Sequence, residues 1–331
     1  MRQWRGVPYH QSVEVGPFRA TFYDAGHILG SAMVVLDIEE QGRKYRLAFS
    51  GDIGRRDMPL LHDPSFLQDV DYLIMESTYG TKNHRLPEEA FAEFSQLVKE
   101  TVARGGKIII PSFAVGRAQE LVYELSRLIH AKEIPPLPVY VDSPLAGRAS
   151  TVFWAHLGLL DEETQKLMRA SPDDENFGFK SLRYTQSVDE SKAINDMKGP
   201  LVIISASGMC ESGRILHHLR NNLDKDTTTV LMVGYQAEGT LGRRLQDGAK
   251  KVKIFGLEHA VWARVETLHT FSAHADQGDL MWFMKSLDPR PRTIFLVHGD
   301  PGDRAALKEK LRAEGITRVE CPEYGQEFEL E

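Results

Sequence analysis

The feature that most constrains the fold is a change of hydrophobic period at Pro87. Period-two runs give way there to alternating helix and strand patterns, and strand-rich sequence returns after Lys250. Before the change, Arg19 to Asp24 alternates, and Ala32 to Glu39 and Lys44 to Phe49 read as a hairpin joined across Glu40-Gln41-Gly42-Arg43. Tyr72 to Met75 is short and apolar enough for a buried strand. After it, Ala90, Phe91, Phe94, Leu97, Val98 and Val102 share a helical face, Gly105-Gly106 ends that helix, and Lys107 to Ile110 follows as a strand. The spacing then predicts a helix over Leu121 to Ile129, a strand at Pro138 to Val141 and a helix after Ser143-Pro144. A capping box at Ser187-Val188-Asp189-Glu190 opens a helix ahead of the strand Leu201 to Ile204. Helices at Arg214 to Asn221 and Thr240 to Leu245 flank a strand at Thr229 to Val233, and strands fill Val252 to Leu268. The tail reads as helix Asp279 to Ser286, strand Thr293 to Val297, helix Arg304 to Ala313, and short strands near Val319 and Phe328. Such alternation requires a mostly parallel sheet. The expected class is therefore α/β, with a β-rich part built from both chain ends, an α/β part between them, and an internal loop at Ser171 to Gly178.

With 331 residues the chain makes one large domain or two ordinary ones. Its net charge of −7 excludes a broad basic face for duplex nucleic acid or anionic membrane, leaving room only for local cationic pockets. Two cysteines, Cys210 and Cys321, exclude a disulfide framework and a four-thiolate zinc site and point to a reducing compartment. No apolar run has the length of a membrane span, and residues 1 to 15 carry no signal-peptide pattern, so a cytoplasmic location is expected.

Several polar residues stand where an apolar strand stops, the usual ligand-binding edge of α/β proteins. Asp52 follows Ala48-Phe49-Ser50-Gly51, Glu76 follows Leu73-Ile74-Met75, and His298 ends Ile294-Phe295-Leu296-Val297. His27 lies between Gly26 and Gly30, and His274 sits just before a helix. Taken singly, each has a structural alternative: an Asx turn, a cap, or a histidine satisfied by backbone. No local H-E-x-x-H, H-x-H or C-x-x-C template is present. The glycine-flanked turns Ser205-Ala206-Ser207-Gly208 and Val233-Gly234-Tyr235-Gln236 suit a phosphate, with Arg214 adding charge, or are ordinary tight turns. The run Lys250-Lys251-Val252-Lys253 reads as a solvated face.

In this order, DAGHILGSA (24 to 32), FSGDIGR (49 to 55), MESTYG (75 to 80), PSFAVGRAQEL (111 to 121), VYVDSPLA (139 to 146), SASGMCESGRILHHL (205 to 219), VGYQAEGTLGRRL (233 to 245), FSAHAD (271 to 276) and LVHGD (296 to 300) closely resemble the β-CASP family. This is the branch of the metallo-β-lactamase fold that contains zinc-dependent, RNA-processing nucleases. The resemblance implies an αββα metallo-β-lactamase domain made from 1–80 and 256–331, with a β-CASP domain inserted at 81–255. It implies that His27 and His298 each hold one zinc ion and that Asp52 bridges the two. His274 would be the general acid, with Glu76 fixing its tautomer, and Ser207, Arg214, Tyr235 and Gln236 would hold the nucleic-acid backbone. RNA is the implied partner, with single-stranded DNA as a second nucleic-acid option and a homodimer as the protein assembly.

The family's histidine-x-histidine-x-aspartate-histidine run, which stands upstream of the DAGHILGSA element, is absent from this sequence. The expectation is a member lacking the first part of the lactamase domain, with two protein ligands per zinc where catalytic zinc usually has three. Weak zinc binding and impaired hydrolysis follow, as does an uncovered apolar face around Met33 to Ile38 that invites a complementing N-terminal segment. The alternatives are a non-catalytic nucleic-acid-binding or scaffold subunit of the same fold, and a nucleotide-binding transferase using the Ser205 to Arg214 turn. The transferase reading lacks a G-x-G-x-x-G or P-loop sequence.

Overall fold

The computed structural model describes residues 5–170, 179–268 and 272–330. The loop expected at Ser171 to Gly178, and Phe271 of the FSAHAD run, lie outside them. The chain divides into two compact units, Met1–His84 with Ala273–Glu331, and Arg85–Ser272. No helix among the described residues is long and apolar enough to cross a membrane.

The first unit is built on a seven-stranded sheet. Strands β1 (Ser12–Val15), β2 (Phe18–Asp24), β3 (Ala32–Glu40) and β4 (Arg43–Phe49) form an antiparallel meander. β5 (Tyr72–Glu76), β14 (Thr293–Val297) and β15 (Val319–Glu320) then continue it in parallel. The β3–β4 hairpin turns through Gln41 (φ 51°) and Gly42 (φ 78°), both left-handed as a tight two-residue turn requires. One sheet face, with Met33, Val35, Ala48, Leu73, Met75, Ile294 and Leu296, is buried against two helices. α8 (Gln277–Ser286) contributes Leu280, Phe283 and Met284, and α9 (Pro301–Ala313) contributes Leu307 and Leu311. Each such side chain stabilises the fold by roughly 1.5–3 kcal/mol.

The opposite face carries Val34, Leu36, Ile38, Leu47 and Ile74 half-buried, with Phe49 48% exposed. The apolar face expected around Met33 to Ile38 is therefore only partly open. No strand forms near Phe328; its ring instead packs edge-on against Phe295 at 4.9 Å.

The second unit carries a six-stranded parallel sheet in the order β13-β10-β6-β9-β7-β8. Its central strands β6 (Lys107–Pro111), β9 (Leu201–Ser205) and β10 (Thr229–Met232) are buried at every position, as a parallel sheet covered on both faces requires. β7 (Val139–Asp142) and β8 (Leu182–Tyr184) complete one edge. α1 (Pro87–Ala103) starts with proline and two glutamates in its first turn and stops before Gly105 at φ 68°. α5 (Val188–Asp196) opens on the expected capping box, with Ser187 and Glu190 both bonded. α6 (Ile215–Asn222) ends close to a hairpin of β11 (Lys251–Ile254) and β12 (Leu257–Ala260). β13 (Arg264–Thr267) pairs along its whole length with β10, and the second unit runs through Ser272.

Candidate metal centre

Within the first unit, β2, β4, β5 and β14 all end at one edge of the sheet, because β4, β5 and β14 are parallel and β2 is two antiparallel steps from β4. His27 follows β2, Asp52 follows β4, Glu76 ends β5 opposite Val297, and His298 follows β14. His274 is brought to the same edge by backbone pairing: Gly54 bridges His274, and the Ala275 amide donates to the Ile53 carbonyl at 2.8 Å.

Asp52 stands between two imidazoles. Its Oδ2 lies 3.9 Å from Nε2 of His27, and its Oδ1 lies 3.5 Å from Nε2 of His298. Two ligand atoms on one tetrahedral zinc, with bonds of about 2.0–2.1 Å, stand about 3.4 Å apart. The separations and the imidazole–carboxylate chemistry thus fit a carboxylate shared by two ions, with two donors for each among the described residues. A second grouping overlaps this one: single ligand atoms of His27, Asp52 and His274 lie within 4.8 Å of one another. Burial and the nearby His274 hold His27 below its usual pKa, which favours the neutral, metal-ligating imidazole.

Glycines allow the donor loops to meet. A β-carbon on Gly54 would stand 2.0 Å from the Gly26 carbonyl oxygen and 2.8 Å from the His27 amide nitrogen. Gly26 itself is left-handed (φ 66°). Gly54→Ala must therefore push the Asp52 loop off the His27 loop. We expect it to weaken zinc binding about 10–100-fold, the usual penalty for disturbing support around metal ligands. Competition titration against a chelator measures this, and unchanged affinity would show that the contact does not position the donors.

Glu76 is buried at the base of the edge. Its Oε1 accepts from the Ile53 amide at 2.5 Å and its Oε2 from the Thr78 hydroxyl at 2.5 Å. Nδ1 of His274 lies 3.2 and 3.1 Å from the same two oxygens. A carboxylate only accepts, so Nδ1 carries a proton and Nε2 is left to face the other groups. Burial opposes the charged imidazole, but the hydrogen bond and charge of Glu76, together with Asp52, outweigh it and raise the His274 pKa.

The four expected nucleic-acid contacts lie in the second unit and fare differently. Arg214 is not free: Nη1 donates to Asp142 Oδ1 at 2.8 Å and Nη2 to the Gln186 carbonyl at 2.9 Å, so it braces the fold. Gln236 is 2% exposed and donates to the Gly208 and Gly234 carbonyls. Ser207 spends its hydroxyl on the amides of Glu211 and Ser212. Tyr235, 69% exposed, is the most open of the four, while Arg214 and Ser207 are half-buried. Sequence reasoning missed Asp142, the hub that binds Arg214, although VYVDSPLA places it at a strand end like Asp52 and Glu76.

Residues 118–245 match the Beta-Casp domain family, and 258–322 match the family described as a Zn-dependent metallo-hydrolase RNA specificity domain. The chain is 37% identical over 324 residues to Ribonuclease TTHA0252 of Thermus thermophilus, covering 97% of this chain and 72% of the relative. It is 35% identical over 305 residues to transcription termination factor FttA of Methanocaldococcus jannaschii, covering 89% of this chain and 47% of that protein. It is also 31% identical over 333 residues to cleavage and polyadenylation specificity factor subunit 3-I of Arabidopsis thaliana, covering 98% and 46%. The chain thus spans about half the length of the last two. The chain belongs to the β-CASP branch of the metallo-β-lactamase-fold RNA-processing nucleases.

Proposed function

We propose that the chain is a zinc-dependent phosphodiester hydrolase of RNA, with Asp52 bridging two ions, His27 and His298 holding one each, and His274 as general acid. The observation that carries this is Asp52 turning one oxygen toward each histidine, at 3.9 and 3.5 Å. When bound, a zinc pair supplies an activated water and a clamp on the phosphoryl oxygens for in-line displacement. Glu76 holds Nδ1 of His274, so Nε2 is the atom that delivers a proton to the departing oxygen. RNA rather than single-stranded DNA is the proposed substrate, supported by the RNA specificity domain match and the ribonuclease relative.

Two donors per ion are one short of the usual three. The 331-residue chain is therefore expected to retain less than one zinc per chain after dialysis, read by elemental analysis. Two tightly held ions would overturn the donor count. We propose that a complementing segment bearing the histidine-rich run supplies the missing donors and covers the half-open sheet face. Cleavage of labelled single-stranded RNA with zinc, by the chain alone and with that segment present, tests the assignment. Cleavage only with the segment supports it, whereas RNA binding without cleavage in both cases favours a non-catalytic RNA-binding subunit.

A further inference from the structure

The lysine run at 250–253 leads into β11, with Lys250 just before the strand, in a hairpin whose tip carries an aromatic side chain. The tip is Phe255-Gly256, with φ of 51° and 79°, a turn that normally takes asparagine, aspartate or glycine at its first position. Phenylalanine occupies that position instead, 52% exposed, with its ring 4.8 Å from that of His217 and 5.8 Å from the guanidinium carbon of Arg220 on α6. At the far end of the same helix, Trp262 is anchored through its amide to the Leu223 carbonyl at 2.8 Å, and its side chain is 68% exposed. Leu257, beside the tip, is 66% exposed. Two exposed aromatics thus stand toward opposite ends of α6, about 9 Å apart along its axis at 1.5 Å per residue.

The charge around them is cationic in an acidic chain. Segments 215–226 and 250–262 together hold five Lys and Arg against three Asp and Glu, while the whole chain carries −7. Lys251 is paired with Glu258 at 2.7 Å and Lys225 with Asn222 at 3.0 Å. Among the described residues, Lys250, Lys253 and Arg220 make no ion pair. Arg220 donates only to Asn221 and lies by the Phe255 ring. His217 is held below its usual pKa by burial and by Arg220, which leaves it a neutral stacking neighbour. Exposed aromatic side chains beside lysines and an arginine outside any ion pair are what a single strand needs, since bases stack on rings and phosphates meet the charges. A protein partner would demand a larger continuous apolar area with fewer free lysines at its centre.

We propose that the surface of α6 and the β11–β12 hairpin, built from Phe255, Arg220, Trp262, Lys250 and Lys253, binds single-stranded RNA without base specificity, as a contact additional to the metal centre. This rests on RNA being the substrate. The test is fluorescence anisotropy of a labelled oligouridylate with the full chain, as wild type, Phe255→Asn, Trp262→Ala, and Lys250→Ala with Lys253→Ala. Asparagine suits the left-handed turn, so Phe255→Asn removes the ring while thermal unfolding stays at or above the wild-type midpoint. Each aromatic variant is expected to weaken binding about fivefold or more. The lysine pair should lower the log–log salt slope by about 0.7 per lysine. Wild-type binding that none of these variants alters would overturn the surface while leaving RNA as the substrate. Failure of the wild type to bind the oligouridylate at all would remove the substrate reading too. Self-association abolished by Phe255→Asn and Trp262→Ala, with RNA affinity unchanged, would assign the surface to a second protein copy instead.

Discussion

Alanine at His274 is expected to lower RNA cleavage by the chain joined with the complementing histidine-rich segment and loaded with zinc about 10²- to 10⁴-fold, the usual contribution of a positioned general acid, while zinc content stays at the level of the same assembly carrying the wild-type residue. The second half of that result separates two roles. His274 shares a 4.8 Å donor cluster with His27 and Asp52, and a histidine whose other nitrogen meets a carboxylate is also how many zinc ligands are held. If zinc is lost together with activity, His274 is a ligand and the leaving group is protonated by something else. Titration of the metal-free protein gives an independent reading of the Glu76 contact. Burial opposes protonation, yet Glu76 and Asp52 raise the His274 pKa above its ordinary 6.5. The imidazolium therefore persists below that raised value and is lost as pH rises through it. Glu76→Gln removes the charge that raises it and should move the His274 titration, followed by NMR on metal-free protein, to lower pH. An unmoved titration would show that another group sets it.

Asp142→Asn is expected to destabilise the second unit by about 3–5 kcal/mol, the cost of leaving buried charged partners unmatched. The Asp142 side chain is fully buried. Its Oδ1 accepts from Arg214 at 2.8 Å and from Thr185, and its Oδ2 accepts from Ser191 and from Nε2 of His218, both at 2.6 Å. Burial works against the carboxylate, but the hydrogen bonds from His218, Ser191, Thr185 and Arg214 prevail and hold its pKa well below the ordinary carboxylate range. The sign follows. This stabilisation is complete above the unfolded-chain pKa of about 3.9 and is lost as pH falls toward the lower folded value. Urea unfolding at neutral and acid pH should show a lowered midpoint in the variant and a smaller loss on acidification. A variant within about 1 kcal/mol of wild type at neutral pH would mean that the network is not a structural hub.

Local signals in the sequence carried most of the fold. The Ser187 and Glu190 capping box, the Gly105 stop and the hairpin at Gln41-Gly42 each concern residues a few positions apart, so their physics is written in adjacent letters. The strand-end positions of Asp52, Glu76 and His298 were legible for the same reason, and their resemblance to a known family supplied roles that spacing alone did not. What stayed hidden depends on partners far along the chain. Arg214 looked like a free cation because its acceptor, Asp142, lies 72 residues away. Gln236 looked available because nothing nearby shows that Gly208, Gly234 and Gly242 close around it; a β-carbon on Gly242 would fall 1.8 Å from its Oε1. The pairing of Arg264–Thr267 with Thr229–Met232 is likewise a choice of sheet that a four-residue strand does not announce.

The strand-end arrangement also bears on when the pocket comes into being. Three of its five polar groups, at 27, 52 and 76, are synthesised early, while those at 274 and 298 arrive only after the whole second unit has emerged. Until His274 pairs with Gly54 and β14 docks beside β5, Glu76 has no imidazole to hold and Asp52 has no histidine on its Oδ1 side. Nascent protein thus lacks two of these five groups through most of its synthesis, and on the proposed reading capture of a cation pair would follow tertiary assembly rather than nucleate it.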